Sequence, residues 1–243
     1  MIVVDNRLVA EKAFYYRQAF DAGCRIILVH LSDEAFKDDI GIYKYCDGIL
    51  RNCYSELLAD NARVHFFPLG YKAGFAREGT MKSAAARKHL WSFAGDVKKL
   101  TRPAMLKAMR GIGEGFTHLT EGFDSADGLP TPEYRALLDE TVIVPCPSGW
   151  SNVETFRCYE ALEAGCIPIV ETRPGFDLYA ALLGDHPLPG FLSWDEAAAF
   201  IKSLSAEELE KLRARCSDWW QARKPMVAKD VSAFIGRALS GPF

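Results

Sequence analysis

The segment from Pro145 to Val170 carries the densest set of residues that could do chemistry. Its charged residues Glu154, Arg157 and Glu160 are three apart, so on a helix they would project along one side, where a ligand could meet all three. The turn Pro147-Ser148-Gly149 precedes this helix. It would place backbone N–H groups at a helix N-terminus, where the positive end of the dipole favours a diphosphate. The pattern predicts a small anion site.

A structural explanation of the same residues is also open. Ser151 and Glu154 have the spacing of a capping box, and Glu154 with Arg157 could form a simple ion pair. Trp150 could stack on a base or a sugar, or could be ordinary packing beside a turn. The charges taken alone do not decide between these explanations.

The elements around this segment alternate between strands and helices. Apolar runs predict strands at Thr141–Pro145 and Ile167–Glu171, and between them a helix at Val153–Ala164 that is ended by Gly165. The same rhythm runs through residues 1–70 and restarts at His89. Such alternation on short connections predicts parallel sheets, whose ligand sites lie beyond the carboxyl ends of the strands.

A change in composition predicts the domain organisation. Residues 70–88 are rich in Gly, Ala, Lys, Arg and Ser without apolar alternation, which is typical of a linker or mobile loop. We therefore expect an α/β protein of two Rossmann-like lobes, the N-terminal one at 1–80 and the C-terminal one at 88–243. The tail from Ala206 to Leu239 shows two amphipathic helical patterns separated near Pro225.

Composition argues against several classes of function. The formal net charge of -3 gives no basic field, so no nucleic-acid partner is expected. The longest apolar runs are strand-sized and the N-terminus lacks a signal pattern, so we expect no transmembrane segment and a cytoplasmic protein. The seven cysteines lack paired CxxC spacing and are expected to be reduced, those in apolar segments, such as Cys24, being buried.

Several stretches of the sequence resemble the exostosin family of glycosyltransferases, which have a GT-B-type fold. The C-terminal matches are Pro147-Ser148-Gly149, Arg157, Tyr159-Glu160-Ala161-Leu162 and Gly165-Cys166-Ile167-Pro168-Ile169-Val170. Before them, Phe93-Ala94-Gly95-Asp96 followed by Arg102 is similar to the family's strand, glycine loop and downstream basic residue. The N-terminal matches are Leu28-Val29-His30-Leu31-Ser32-Asp33-Glu34, Leu50-Arg51-Asn52 and Phe67-Pro68-Leu69-Gly70-Tyr71.

The resemblance implies roles for the C-terminal matches. Glu160 would hold the ribose hydroxyls of a nucleotide, since a carboxylate can accept two neighbouring O–H bonds. Arg157 and Arg102 would neutralise the diphosphate leaving group. The expected donor-binding residues are Gly95, Lys98 (with Lys99 as its alternative), Arg102, Ser148, Gly149, Glu154, Arg157 and Glu160.

The same resemblance implies a reaction without a metal or cofactor. A basic clamp could replace the divalent metal, and the chain has no Asp-x-Asp motif; the nucleotide sugar would be a substrate. Inverting transfer needs a general base near the acceptor hydroxyl, and His30, Asp33 and Glu34, at the end of a first-lobe strand, are the candidates. Ser32 or Asp33 could instead cap the next helix while His30 completes the strand.

The N-terminal lobe is abbreviated relative to the family, which leaves two classes of function open. The first is a transferase that moves a sugar, with inversion, from a nucleotide-diphosphate sugar such as a UDP-sugar to a glycan or polysaccharide acceptor, alone or as a homo-oligomer. The alternative is a non-catalytic nucleotide-sugar-binding module that scaffolds or regulates a partner transferase. A dehydrogenase is disfavoured because no GxGxxG follows a first strand.

Overall fold

The structure of the protein is a computed structural model that describes residues 2–6, 12–76, 79–122 and 125–241. It divides into two compact units, one made of Met1–Leu69 with Arg223–Phe243 and the other of Gly70–Ala222. Each unit is built on its own parallel sheet. The predicted α/β class with two parallel sheets is therefore confirmed.

The first unit is built on a four-stranded sheet in the order β1-β2-β3-β4. Its strands are β1 (Ile2–Asn6), β2 (Ile27–Leu31), β3 (Gly48–Arg51) and β4 (Val64–Phe66). Between them the unit adds helix α1 (Ala13–Asp21) and a 3₁₀ helix at Ile40–Tyr45.

Alternate residues of a strand point to opposite faces of the sheet, and other elements cover both faces of this one. Leu28 packs in one cluster with residues of α1 and the 3₁₀ helix. Ile27 packs in another with Phe234, near the end of the chain. A Cβ added at Gly48 would lie 2.9 Å from the Cβ of Ala238. The last residues of the chain therefore complete the first unit's core.

The second unit is built on a five-stranded parallel sheet in the order β6-β5-β7-β8-β9. Its strands are β5 (His89–Asp96), β6 (Phe116–Thr120), β7 (Thr141–Cys146), β8 (Ile167–Glu171) and β9 (Gly190–Phe191). Its helices are α2 (Arg102–Arg110), α3 (Thr131–Asp139), α4 (Phe156–Glu163), α5 (Leu178–Leu183) and α6 (Trp194–Ser203). Strand β7 is buried along its whole length.

The prediction of a linker or mobile loop at residues 70–88 is wrong. Phe75 is buried and its ring lies 5.5 Å from that of Tyr134. The buried guanidinium of Arg87 donates hydrogen bonds to the backbone oxygens of Leu138, Thr141 and Ala164. The Leu138 and Ala164 carbonyl groups lie at the ends of α3 and α4, where they have no partner within their helices, and Thr141 begins β7. The segment is thereby fixed to the second unit, which begins at Gly70.

The tail is a single helix, α7 (Ala206–Ser240), with Pro225 inside it, rather than two helical segments. Its residues up to Ala222 belong to the second unit, whereas Arg223 and those that follow belong to the first. The expected C-terminal lobe at 88–243 is corrected accordingly, because Phe234 and Ala238 are buried in the first unit's core. Neither α7 nor any other described helix is long and apolar enough to cross a membrane.

All seven cysteines carry thiols, and six of them are buried. The expected burial is found for Cys146, Cys158 and Cys166. It is wrong for Cys24, which is exposed. Cys24 lies in the connection between α1 and β2, two residues before the buried run that begins at Ile26.

Candidate functional site

The carboxyl end of β5 holds a glycine between two arginine side chains. Gly95 has a φ of 139°, a backbone conformation that residues with a Cβ rarely adopt. Arg157 Nη2 donates a hydrogen bond of 2.8 Å to the carbonyl oxygen of Ala94, and Arg102 Nη1 donates one of 2.7 Å to that of Asp96. A Cβ at position 95 would lie 2.9 Å from Arg157 Nη2. The fold thus brings Gly95, Arg102 and Arg157 together.

Arg157 is held by an aromatic ring and a backbone oxygen. Its Cζ lies 4.5 Å from the centroid of the Phe93 ring, which is a cation–π contact. Its Nε is buried without a hydrogen-bond partner among the described residues. No carboxylate in the described part of the chain pairs with it within 4.0 Å. A fixed guanidinium without a direct counter-ion is suited to binding an anion.

Glu160 lies one helical turn after Arg157 on α4 and is only 7% exposed. Burial raises the pKa of its carboxyl group, while the charge of Arg157 and the backbone N–H of Lys72 act in the opposite direction. The carboxylate is therefore next to the arginine site, as predicted, but most of its surface is covered.

Glu154 does not share a helix face with the other two charges. Helix α4 begins at Phe156, with Thr155 as its N-cap residue, so Glu154 lies in the preceding loop. Its buried carboxylate accepts a hydrogen bond of 2.5 Å from the Tyr159 hydroxyl. The prediction that one ligand meets Glu154, Arg157 and Glu160 along a helix is wrong, because the helix begins three residues later than predicted.

The turn at Ser148 and Gly149 is likewise not at a helix N-terminus. The backbone N–H of Ser148 donates to Glu171 Oε2 at 3.1 Å, and that of Gly149 donates to the Asn152 oxygen at 2.8 Å. Both donors that were expected to hold a diphosphate are therefore already used within the protein. Ser148 Oγ also donates to Glu171.

The two lysines of the loop after β5 differ in their surroundings. The exposed Lys98 forms an ion pair of 2.7 Å with Glu121, which follows β6, and this hydrogen bond raises the pKa of Lys98. Lys99 is buried, and its Nζ lies 4.9 Å from the centroid of the Trp150 ring. The backbone oxygen of Lys99 accepts a hydrogen bond of 3.0 Å from the Arg102 N–H, so this loop connects directly to one of the two arginines at Gly95.

Glu171, which sequence reasoning did not single out, connects three loops. Its Oε1 accepts hydrogen bonds from Thr101 Oγ1 and, at 2.5 Å, from Trp194 Nε1, while its Oε2 accepts from Ser148. It borders a pocket of about 250 Å³ formed by residues that follow β5, β7, β8 and β9. The available signal was an acidic residue at the carboxyl end of a buried strand, where ligand sites of parallel sheets lie.

The first unit buries two of its three predicted catalytic residues in a polar network. Arg51 donates from Nη2 to Asp33 Oδ2 at 2.7 Å and from Nη1 to His30 Nδ1 at 3.0 Å. Because arginine can only donate, His30 Nδ1 accepts, and Nε2 carries the hydrogen that bonds Asp38 Oδ2 at 2.9 Å. Tyr43 O–H lies 2.6 Å from His30 Nδ1.

The network shifts the pKa values of both buried candidates downward. Burial lowers the pKa of His30, which is 1% exposed, and the charge of Arg51 adds to this while Asp38 opposes it. Burial alone would raise the pKa of Asp33, but the hydrogen bond from Arg51 and the backbone N–H of Lys37 lower it overall. Glu34 is partly exposed and is the predicted base with the most open surface.

His30, Asp33 and Asp38 present ligand atoms within 4.8 Å of one another, a spacing that could hold a metal ion. The guanidinium of Arg51, however, donates directly to two of these three residues. A cation bound there would face the arginine charge at close range. These residues therefore do not fit a metal site.

No protein-family model matches the sequence, and no curated protein matches it. Solved structures do resemble the folded chain. HepE from Anabaena, solved with UDP and glucose, has a TM-score of 0.60 at 11% identity, over 96% of this chain and 78% of HepE. An alpha-glucosyltransferase solved with UDP-glucose and DNA containing an abasic site has a TM-score of 0.55 at 10% identity, over 97% of this chain and 80% of that protein.

A third similar structure is the pneumococcal O-GlcNAc transferase GtfA in complex with UDP and GlcNAc. Its TM-score is 0.51 at 14% identity, over 99% of this chain and 57% of GtfA. At such identities the likeness establishes the fold alone. The chain has the GT-B-like fold that the sequence predicted.

Proposed function

We propose that this chain is a glycosyltransferase that takes its sugar from a nucleotide-diphosphate donor, a UDP-sugar. The observation that carries the proposal is the pair of arginines at Gly95, placed at the carboxyl end of a central strand of the second unit. The three similar proteins solved with UDP or UDP-glucose support the choice of nucleotide. On the sequence matches to the exostosin family, we further propose that the enzyme is exostosin-like.

In the proposed reaction the arginines serve the leaving group. The acceptor hydroxyl oxygen bonds to the anomeric carbon while the bond from that carbon to the diphosphate breaks, and the electron pair leaves with the diphosphate. Arg157 and Arg102 stabilise the negative charge that accumulates there. The backbone N–H of Lys72 donates to the Glu160 carboxylate. The remaining lone pairs of that carboxylate accept hydrogen bonds from the ribose hydroxyls.

The general base is proposed to be Glu34. His30 and Asp33 are buried and both accept hydrogen bonds from Arg51, whereas Glu34 is partly exposed beside them. In an inverting transfer Glu34 would take the proton of the acceptor hydroxyl. A glycan is the proposed acceptor, because the net charge of -3 provides no basic field for a nucleic acid.

A second candidate is a nucleotide-sugar-binding module that regulates or scaffolds a partner transferase. The observation in its favour is the engagement of His30 and Asp33 in a buried network, which removes two of the three predicted bases from contact with an acceptor. This candidate predicts donor binding without release of the nucleotide for any acceptor offered.

Calorimetric titration with UDP, GDP, CDP and their common sugars tests the donor site. We expect one nucleotide to bind, and Arg157→Ala to weaken it about tenfold to hundredfold, since charged hydrogen bonds contribute roughly 1.5–3 kcal/mol each. Glu160→Ala should weaken it as well. Arg110→Ala, an exposed arginine at the other end of α2, is the matched control and should bind as the wild type does. Equal affinities of Arg157→Ala and Arg110→Ala would contradict the proposal.

Release of UDP in the presence of glycan acceptors then separates the two candidates. Turnover that is lost in Glu34→Gln while nucleotide affinity is retained supports the transferase with Glu34 as its base. Turnover unchanged in Glu34→Gln would remove Glu34 from the mechanism. Tight donor binding without turnover in the wild type would favour the binding module.

A further inference from the structure

Three large apolar side chains are exposed around the pocket bordered by Glu171. Leu100 is 64% exposed, Trp150 66% and Leu192 59%, and they come from three different loops of the second unit. Exposed apolar residues scattered singly need no explanation, but several around one concave site mark a place where a ligand binds.

Leu100 also has a backbone conformation that leucine rarely adopts. Its φ is 35°, in the left-handed region where a side chain costs free energy. On one side of it, Lys99 is buried with its Nζ against the Trp150 ring, and on the other, Thr101 is hydrogen-bonded to Glu171. Backbone strain held in place by neighbouring contacts is a feature of binding and catalytic sites.

The part of the pocket at Glu171 favours a ligand that donates hydrogen bonds. Ser148 Oγ and Thr101 Oγ1 both give their hydrogen to Glu171. Their remaining lone pairs, and the carboxylate itself, can only accept. Arg173 also lines the pocket and carries the opposite charge to Glu171. A neutral ring with several hydroxyl groups can donate to Glu171 and accept from Arg173, because each hydroxyl both donates and accepts.

We propose that this pocket binds one neutral pyranose ring, with its C–H face on Trp150, Leu100 and Leu192 and its hydroxyls on Ser148, Thr101 and Glu171. The inference rests on the proposed function, because a glycosyltransferase binds both a donor sugar and an acceptor sugar. The volume of about 250 Å³ lies below that of pockets enclosing drug-sized ligands, so it fits one ring and not a whole nucleotide sugar.

The ring could belong to the donor or to the acceptor, and two measurements on the full chain distinguish them. Saturation-transfer NMR is recorded with methyl glucoside, methyl galactoside and N-acetylglucosamine, and calorimetry with UDP and the matching UDP-sugars. The variants are Trp150→Ala and Leu192→Ala, both at exposed positions, with Leu57→Ala, an exposed leucine of the first unit, as the matched control.

For a donor ring we expect Trp150→Ala to weaken UDP-sugar binding about tenfold, as removal of a well-placed apolar contact does, with UDP affinity unchanged. For an acceptor ring we expect the glycoside signals to fall while UDP-sugar affinity is unchanged. Either result supports the proposal. Equal losses of affinity for UDP and for the UDP-sugar in Trp150→Ala would overturn it, because the pocket would then hold the base. Sugar binding by Trp150→Ala and Leu192→Ala that equals binding by Leu57→Ala would also overturn it.

The outcome for the proposed function is read separately. Wild-type protein that binds no nucleotide sinks the transferase proposal, yet glycoside signals lost in Trp150→Ala would still support the pocket. Wild-type protein that binds nucleotide sugars through Arg157 but shows no effect of Trp150→Ala or Leu192→Ala sinks the pocket alone.

Discussion

Residue 95 is a glycine, and Arg157 Nη2 lies close to where a Cβ at this position would be. The arginine is then fixed by the Ala94 oxygen and the Phe93 ring. Glycine at this position both allows the backbone conformation and leaves room for the Arg157 guanidinium. The proposed affinity for an anion therefore depends on a residue that bears no charge.

Gly95→Ala is expected to weaken nucleotide binding about tenfold or more and to lower the free energy of unfolding by about 1–3 kcal/mol. The added Cβ would collide with Arg157, and a φ of 139° is strained for alanine. Calorimetry and urea unfolding measure the two effects. Gly122→Ala, at a glycine with no atom within 4 Å of the added Cβ, should change neither. Unchanged binding in Gly95→Ala would show that Arg157 does not depend on this space.

His30 is expected to make stability depend on pH. Its folded pKa is lowered by burial and Arg51, so the unfolded state binds a proton first as the pH falls below about 6.5. The stability that neutral His30 provides is fully present above that pH and is lost between the unfolded and folded pKa values. Urea unfolding between pH 7.5 and roughly pH 5 should give a shallower pH dependence for His30→Gln than for the wild type.

The comparison needs a control because the pKa values of His65 and His89 are also lowered. His65→Gln and His89→Gln measure how much each of these two side chains contributes to the wild-type pH dependence. Parallel curves for His30→Gln and the wild type would mean that protonation of His30 costs the fold nothing.

Residue patterns predicted part of the candidate site. Gly95, Arg102 and Arg157 were named through the resemblance to the exostosin family, and the structure brings them together at the end of β5. Glu154 could not be placed, because spacing alone does not show that α4 begins at Phe156. Glu171 was missed because its partners lie on loops far apart in the sequence.

At the scale of the elements, the end of α7 packs against strand β3 with no room for a side chain at Gly48. Gly48→Ala would place a Cβ 2.9 Å from that of Ala238 and 3.1 Å from Phe234 Cε1. We expect it to lower the free energy of unfolding by about 1–3 kcal/mol through overpacking. Gly236→Ala, at a helical glycine with nothing within 4 Å, should raise it by about 0.5–1 kcal/mol. Urea unfolding that shows the same sign for both would contradict this packing.

Strands were predicted better than connections. The strands predicted at Thr141–Pro145 and Ile167–Glu171 both form, because buried parallel strands are continuous apolar runs, whereas α5 and α6 were not recognised. Residues 70–88 look like a linker because they are polar, yet Arg87 is buried and bonds backbone oxygens, which composition cannot reveal. Pro225 suggested a break, but α7 continues through it.

At the scale of the molecule, the chain builds the first sheet, then the whole second unit, and returns to the first unit at Arg223. The second unit is continuous in sequence and has its own sheet and helices. One face of the first sheet is covered only when residues near Phe234 arrive. Closing that long loop costs entropy, so we infer that the first unit's core is completed last during folding.

Cys24 is exposed and the other six thiols are buried, so the native protein offers a single accessible thiol for chemical labelling. A bulky maleimide dye should label the native chain at one position, without any cysteine being removed. On unfolding, six more thiols become reactive. Counting labelled thiols by mass spectrometry under increasing urea would therefore report which parts of the chain open first.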